Sequence, residues 1–184
     1  MKSVTVFLAV LIALAFCTMA KAEVGSKGIG GALEIALPMG NFGDVAGTGF
    51  GVTANFQYGW KPNIDLMGQL GYIKWGGKTA VGYDYSYHAI PIQVGAKYYF
   101  KQETNRFYVG GLVGFHMFGW SADYDLLGIH YSGSSSETKF SLAPMGGYEM
   151  KIGENMLFDA SARYQIISDV SYLGVRAGII YKLK

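Results

Sequence analysis

His130 and Ser132, separated by one tyrosine, are the sharpest chemical suggestion in the sequence. On an extended strand, side chains two positions apart point the same way. An imidazole there could take the proton of the hydroxyl, as nucleophilic catalysis requires. Glu137 and Glu149 are the acids on offer to orient such a histidine, and spacing alone chooses neither. The same segment also reads as an outer loop, because Gly133, Ser134, Ser135 and Ser136 follow at once. Asp123 and Asp125 lie close by but lack the full oxygen-ligand spacing of a calcium loop, so a solvated loop accounts for them. Gly47, Gly49 and Gly51 imitate a nucleotide loop only in composition: they lie on a strand and no helix follows. No cofactor and no metal site is expected.

A second set of chemical residues is Glu34, Asp65, Lys97, Glu149, Asp159, Arg163 and Arg176, which alternate with large apolar neighbours. With both signs in one narrow space, they could form an ion path or an acid/base site. They could equally pair with one another to fill the inside of a barrel. Buried charge needs a partner in any case, and eight strands enclose room for side chains rather than a channel. Pairing is therefore expected and a porin is disfavoured. His116 reads as a residue of the same interior and His88 as an interfacial one.

The elements that position these residues are strands. Period-two alternation marks spans 29–37, 48–58, 64–75, 88–100, 107–117, 140–150, 156–166 and 172–184. In 48–58, for example, Phe50, Val52, Ala54, Phe56 and Tyr58 alternate with Gly49, Gly51, Thr53, Asn55 and Gln57. Most spans are near the 9 to 11 residues that cross a bilayer when tilted, and no segment reads as an amphipathic helix. Pro91 and Pro144 fall inside strand patterns and lack the N–H a ladder uses, so a local bulge is expected at each.

Which face is apolar follows from charge. Charged residues are 15% of the chain, against about 25% in a soluble domain. A soluble ligand-carrying barrel would need a charged exterior that this chain lacks. The non-apolar set is mostly Gly, Ser, Thr, Asn and Gln, which suits a narrow lumen. The apolar set places Tyr58, Tyr98, Phe100, Phe107, Phe158 and Tyr181 toward strand ends, as interfacial girdles require. An open sheet edge in lipid would leave backbone groups unpaired, so the sheet must close. The expected fold is all-β: an eight-stranded antiparallel up-and-down transmembrane β-barrel, apolar side outward.

The first residues form a processing segment. A positive start at Lys2, an apolar run over 4–16 broken only by Thr5, and Ala20-Lys21-Ala22 predict a signal peptide over 1–22, with the barrel domain at 23–184. The run is too short to span a bilayer as a helix. Cys17, the one cysteine, follows Phe16, where lipoprotein processing favours a small residue; cleavage after Ala22 removes it and with it any disulfide. The 15 Lys+Arg lose Lys2 and Lys21, leaving 13 against 13 Asp+Glu, a net charge of zero. Nothing in that balance points to nucleic acid.

Connections 59–63, 101–105 and 151–155 are short, whereas those near 38–47, 76–84 and 118–138 are long. That is the asymmetry of periplasmic turns and extracellular loops; 168–171 is a short last outer loop.

On these residues nearly the whole mature chain resembles the porin-type outer-membrane β-barrel domain family, the small eight-stranded barrels similar to outer-membrane protein X and the barrel of outer-membrane protein A. The resemblance is carried by the signal segment, by Leu37-Pro38-Met39-Gly40-Asn41-Phe42, by the stretch 90–100 (Ile-Pro-Ile-Gln-Val-Gly-Ala-Lys-Tyr-Tyr-Phe), and by the terminal strand. Within that strand Arg176, Gly178, Tyr181 and Leu183 resemble the C-terminal signal read by the outer-membrane assembly machinery, although Lys184 follows where a final aromatic is usual. The resemblance implies export to the outer membrane, contact with lipid and lipopolysaccharide, and a monomer. It is specific for architecture and says little of activity. Two functions stay open: a structural or surface-interaction protein without an open channel, whose outer loops meet an extracellular protein or other surface ligand; or a hydrolase. His130 and Ser132 resemble the His-any-Ser pair of the lipid A deacylase family, which continues with Asn where this chain has Gly133.

Overall fold

The computed structural model describes residues 24–78, 84–101, 105–126 and 129–183, with backbone alone at 84–85, 121–126 and 129–134. The signal segment expected over 1–22 lies outside these residues. Eight strands run in chain order: β1 (Lys27–Pro38), β2 (Ala46–Lys61), β3 (Ile64–Gly77), β4 (Asp84–Tyr99), β5 (Arg106–Leu126), β6 (Ile129–Lys151), β7 (Met156–Ile167) and β8 (Tyr172–Leu183). Each pairs antiparallel with its sequence neighbour, and β1 with β8, so the sheet closes into an up-and-down barrel. No edge remains around the closed wall.

The alternation decides what each strand shows to either side. Leu33, Phe50, Val94, Phe107, Phe115 and Phe140 are among the large apolar side chains on the outer face, the last 62% exposed. Their neighbours in sequence, among them Glu34, Gln93, Tyr108, His116 and Ser141, are buried in the lumen. A soluble protein does not turn this much aromatic surface outward; hydrocarbon is the solvent it fits.

Three features depart from the sequence-based expectations. First, the strands are longer, from 12 residues in β1, β7 and β8 to 21 in β5 and 23 in β6. The span 118–138, read as a loop, is mostly the far part of a β5–β6 hairpin paired as far as Leu126 with Ile129. Gly and Ser in that span signal turns locally, but the two segments are complementary to each other, and pairing overrides propensity. Beyond the barrel wall the hairpin has one free side. β6 pairs with β7 only from Ser141 onward, so 129–140 carries an unpaired edge, whereas β5 is flanked by β4 as far as Asp123.

Second, neither proline makes a bulge. Pairing of β3 with β4 skips the residues around Pro91 but resumes in the same register, Leu70 with Ile92 and Ile73 with Ala89. Pairing of β6 with β7 does likewise around Pro144, between Leu142/Ile166 and Met145/Arg163. Each proline keeps an unbroken ladder on its other side, with His116 and Gly111 as partners. A missing N–H therefore costs only the ladder it would have faced, and no extra residue is needed. The actual register shifts are in β2, between Ala46 and Gly49 and between Gly59 and Lys61.

Third, a one-turn helix α1 (Asn41–Val45) sits between β1 and β2. It is too short for periodicity to reveal. Gly40, with φ 58, turns the chain at the rim in a conformation that favours glycine. Met39 donates its N–H to the Ser171 carbonyl at 2.9 Å, and the Lys78 ammonium donates to the Gly43 carbonyl. The result drops Phe42 into the barrel mouth.

Candidate functional site

The lumen is stacked in layers, and each layer is assembled from several strands. At the short-turn end Lys97 of β4 places its Nζ 2.9 Å from Glu149 Oε1 of β6 and 2.8 Å from Asp159 Oδ2 of β7. Arg106, at the start of β5, lies 3.1 Å from Glu149 Oε2 and 3.3 Å from Asp65 Oδ2, with its guanidinium 3.3 Å from the Tyr99 ring centre. The Tyr99 hydroxyl is 2.8 Å from Glu149 Oε1 and 3.0 Å from Asp65 Oδ2, and Tyr108 donates to Asp159 at 2.8 Å. Met67, Leu112, Ala143 and Met145 pack around this knot.

The middle layer joins the seam of the barrel to its far wall. Arg163 of β7 holds Glu34 of β1 with two parallel bonds, Nε to Oε1 at 3.1 Å and Nη2 to Oε2 at 2.5 Å. That fork-to-fork geometry is the strong form of the arginine–carboxylate pair. Arg176 of β8 donates to Gln69 Oε1 at 2.9 Å and Thr53 Oγ1 at 3.0 Å. Gln69, Gln93, Gln165 and Ser141 continue the chain across the lumen at 2.8 to 3.1 Å. Among the described buried residues, Glu34, Asp65, Glu149 and Asp159 face Lys97, Arg106, Arg163 and Arg176: four negative groups against four positive.

Aromatic rings fill the mouth above. Phe42 meets the edges or faces of Trp75, Tyr87 and Phe118 at centroid distances of 5.5, 5.6 and 6.4 Å. Tyr172 lies beneath Trp75, and its hydroxyl is 3.1 Å from His116 Nε2. Trp75 Nε1 donates to the Ala36 carbonyl at 3.2 Å, so its polar tip is satisfied. Beside this plug a cavity of about 190 Å³ opens between Tyr87, Trp120, Glu137 and Lys139. Lys139 there is shared by Glu137 at 3.4 Å and Asp169 at 3.6 Å.

All seven charged residues singled out in the sequence, Glu34, Asp65, Lys97, Glu149, Asp159, Arg163 and Arg176, are in the lumen and engaged as above. Arg106 is a member that sequence reasoning missed. With the connection ending at 105 and the strand starting at Phe107 it fell between the two, although parity with Tyr108 already placed it on the inner face. Tyr99 and Tyr108 were likewise legible only as strand residues. His130 and Ser132 lie where side chains are outside the described residues, as do Asp123 and Asp125; the backbone register sets His130 opposite Asp125 and Ser132 opposite Asp123. Glu149, one acid considered for that histidine, belongs to the opposite end of the barrel, and Glu137 is paired with Lys139.

The terminal-strand residues divide by face. Arg176 and Gly178 point inward, while Tyr181 and Leu183 are exposed to the lipid side. A Cβ at Gly178 would collide with the Gly31 carbonyl oxygen and Ala32 across the β1–β8 seam, so closure itself demands glycine there.

Comparison with known proteins adds the family. The sequence model described as outer membrane protein beta-barrel domain matches residues 6–182. No curated protein matches the chain in sequence. Among solved structures, Ail, the attachment invasion locus protein of Yersinia pestis, superposes with a TM-score of 0.59 at 20% identity, covering 88% of this chain and 100% of Ail. Neisserial surface protein A gives 0.58 at 20% identity, covering 85% and 97%. OprG from Pseudomonas aeruginosa gives 0.55 at 13% identity, covering 90% and 99%. At these identities the likeness is one of fold.

Proposed function

The chain belongs to the outer membrane protein beta-barrel domain family, and from that premise we propose that it is a surface-interaction protein that meets its partner through the β5–β6 hairpin and keeps its lumen closed to solutes. The observation that carries this reading is the free β6 edge over 129–140, standing beyond the wall of a barrel whose interior is packed with paired side chains. Unpaired N–H and C=O groups along a strand are a template for an added strand from another chain. Rigid anchorage of that edge on the wall part of β6, Ser141–Lys151, lowers the ordering cost of binding. The occupied lumen supports the absence of a channel, since side chains from β4, β6 and β7 meet across it. Ail has been crystallised with a heparin analogue, sucrose octasulfate. That makes sulfated glycans one sensible probe here.

Within this reading 1–22 is a signal peptide removed on export. Arg176, Gly178, Tyr181 and Leu183 are the sequence offered to the assembly machinery, and the folded barrel is a monomer surrounded by phospholipid and lipopolysaccharide. The test is adhesion of cells displaying the barrel to immobilised heparin and to a panel of extracellular-matrix proteins. A variant in which 121–134 is replaced by Asn-Gly should fold, as seen by its mobility in unboiled gels, and lose adhesion. Equal adhesion by both forms would sink the proposal.

A second reading, a lipid A-modifying hydrolase using His130 and Ser132, has one observation in its favour: the register puts Asp125 across from His130. Mass spectra of lipid A incubated with the refolded protein and with His130→Ala decide it. Loss of an acyl chain with the first and not the second would make the protein an enzyme.

A further inference from the structure

The outer wall is not uniformly convex. From the periplasmic rim to mid-barrel a groove of about 910 Å³ runs across β5 to β8. Its floor is Gly146, Ala160 and Ala162, with Gly146 and Ala162 direct partners in the β6–β7 ladder. One wall is Phe107 and Tyr148, whose ring centres are 4.6 Å apart. Its rim end holds Lys101.

Two independent features meet at this groove. One is shape: a floor of small apolar side chains at hydrocarbon depth gives water few polar partners, whereas an acyl chain lying in it gains dispersion contacts from floor and wall together. The other is charge. At the periplasmic rim Lys27, Lys61, Lys101 and Lys151 are exposed, and Glu154 is the one exposed acid among the described residues. At the opposite end exposed Lys74 and Lys78 face exposed Asp44, Glu137 and Asp169. Among the described residues the excess of exposed positive charge is thus confined to one leaflet. Lys101 has no ion-pair partner among the described residues. The Asn105 side chain accepts a 2.9 Å hydrogen bond from the Lys151 N–H, which ties the two basic turns to each other.

We propose that this groove is a binding seat for one anionic phospholipid of the periplasmic leaflet, with an acyl chain along Gly146, Ala160 and Ala162 and the phosphate at Lys101. A lysine at the rim keeps its ammonium at headgroup level while its stem lies on apolar surface. Attraction of a polybasic rim to acidic headgroups selects such a lipid over a zwitterionic one. The small floor fixes where along the wall it sits.

The experiment is native mass spectrometry of the refolded barrel from micelles doped with equal amounts of phosphatidylglycerol and phosphatidylethanolamine. The wild type should retain one phosphatidylglycerol in preference. Lys101→Glu should lower that preference several-fold, and Ala162→Phe, which fills the trough, should reduce retention of both lipids. Val94→Phe, on the outer face of β4 and outside the groove, serves as control and should behave as wild type. Should Ala162→Phe fail to fold, Ala162→Leu and Lys101→Glu carry the comparison. No preference in the wild type, or the same lipid retention in all variants, overturns the proposal. Adhesion through the β5–β6 hairpin is unaffected by either result.

Discussion

Arg163 and Glu34 are both almost fully buried and hold each other through two bonds. Removing one partner of such a pair leaves an uncompensated charge, which costs about 3 to 5 kcal/mol. Arg163→Met should therefore lower the unfolding free energy of the detergent-refolded barrel by that amount, read from urea titration, and Glu34→Gln added to it should restore a good part. A double variant no better than the single one would mean that the pair is not what the methionine disrupts. At this scale parity along each strand made the inner set legible, because a residue two away from Lys97 or Asp159 must share its face. Who pairs with whom was not legible. Lys97 finds Glu149 and Asp159 only because β4, β6 and β7 curve round to face one another across the lumen, and sequence separation carries no trace of that.

Strands and connections divide in the same way. Their existence and facing followed from period two, so Val94, 60% exposed on the outer face, should resist charge. Val94→Arg is expected to cost about 2 to 4 kcal/mol, measured by reversible unfolding in lipid vesicles; a neutral result would place β4 the other way round. The mouth, by contrast, was hidden. A five-residue helix gives no periodic signal, and Phe42 looks like any loop residue until Trp75, Tyr87 and Phe118 surround it. Phe42→Ala should speed hydrogen exchange over 39–46 while leaving exchange in β3 and β8 unchanged. The two prolines misled for a related reason: a strand in a closed sheet has two ladders, and local sequence does not say that one of them can be given up.

Over the whole molecule the layers are continuous from rim to mouth, so the barrel should lose its structure in one step. Single-tryptophan forms retaining Trp60 at the short-turn rim or Trp75 in the mouth should show the same denaturation midpoint; separated midpoints would divide the barrel into two cooperative units. Closure was predictable, because lipid forbids an open edge. What the closure joins was not. The bond between Glu34 and Arg163 links the first strand to the seventh, 129 positions apart in sequence, and it cannot form while the sheet is a flat ribbon. A half-inserted ribbon would carry Glu34 and Arg163 into hydrocarbon with their partners still out of reach, even though Arg106 and Glu149, opposite each other on β5 and β6, could already meet. Biogenesis is therefore constrained in time: neutralisation of the interior, sealing of the seam and entry into the bilayer must coincide, and a chain stalled partway is left with no metastable halt inside the membrane.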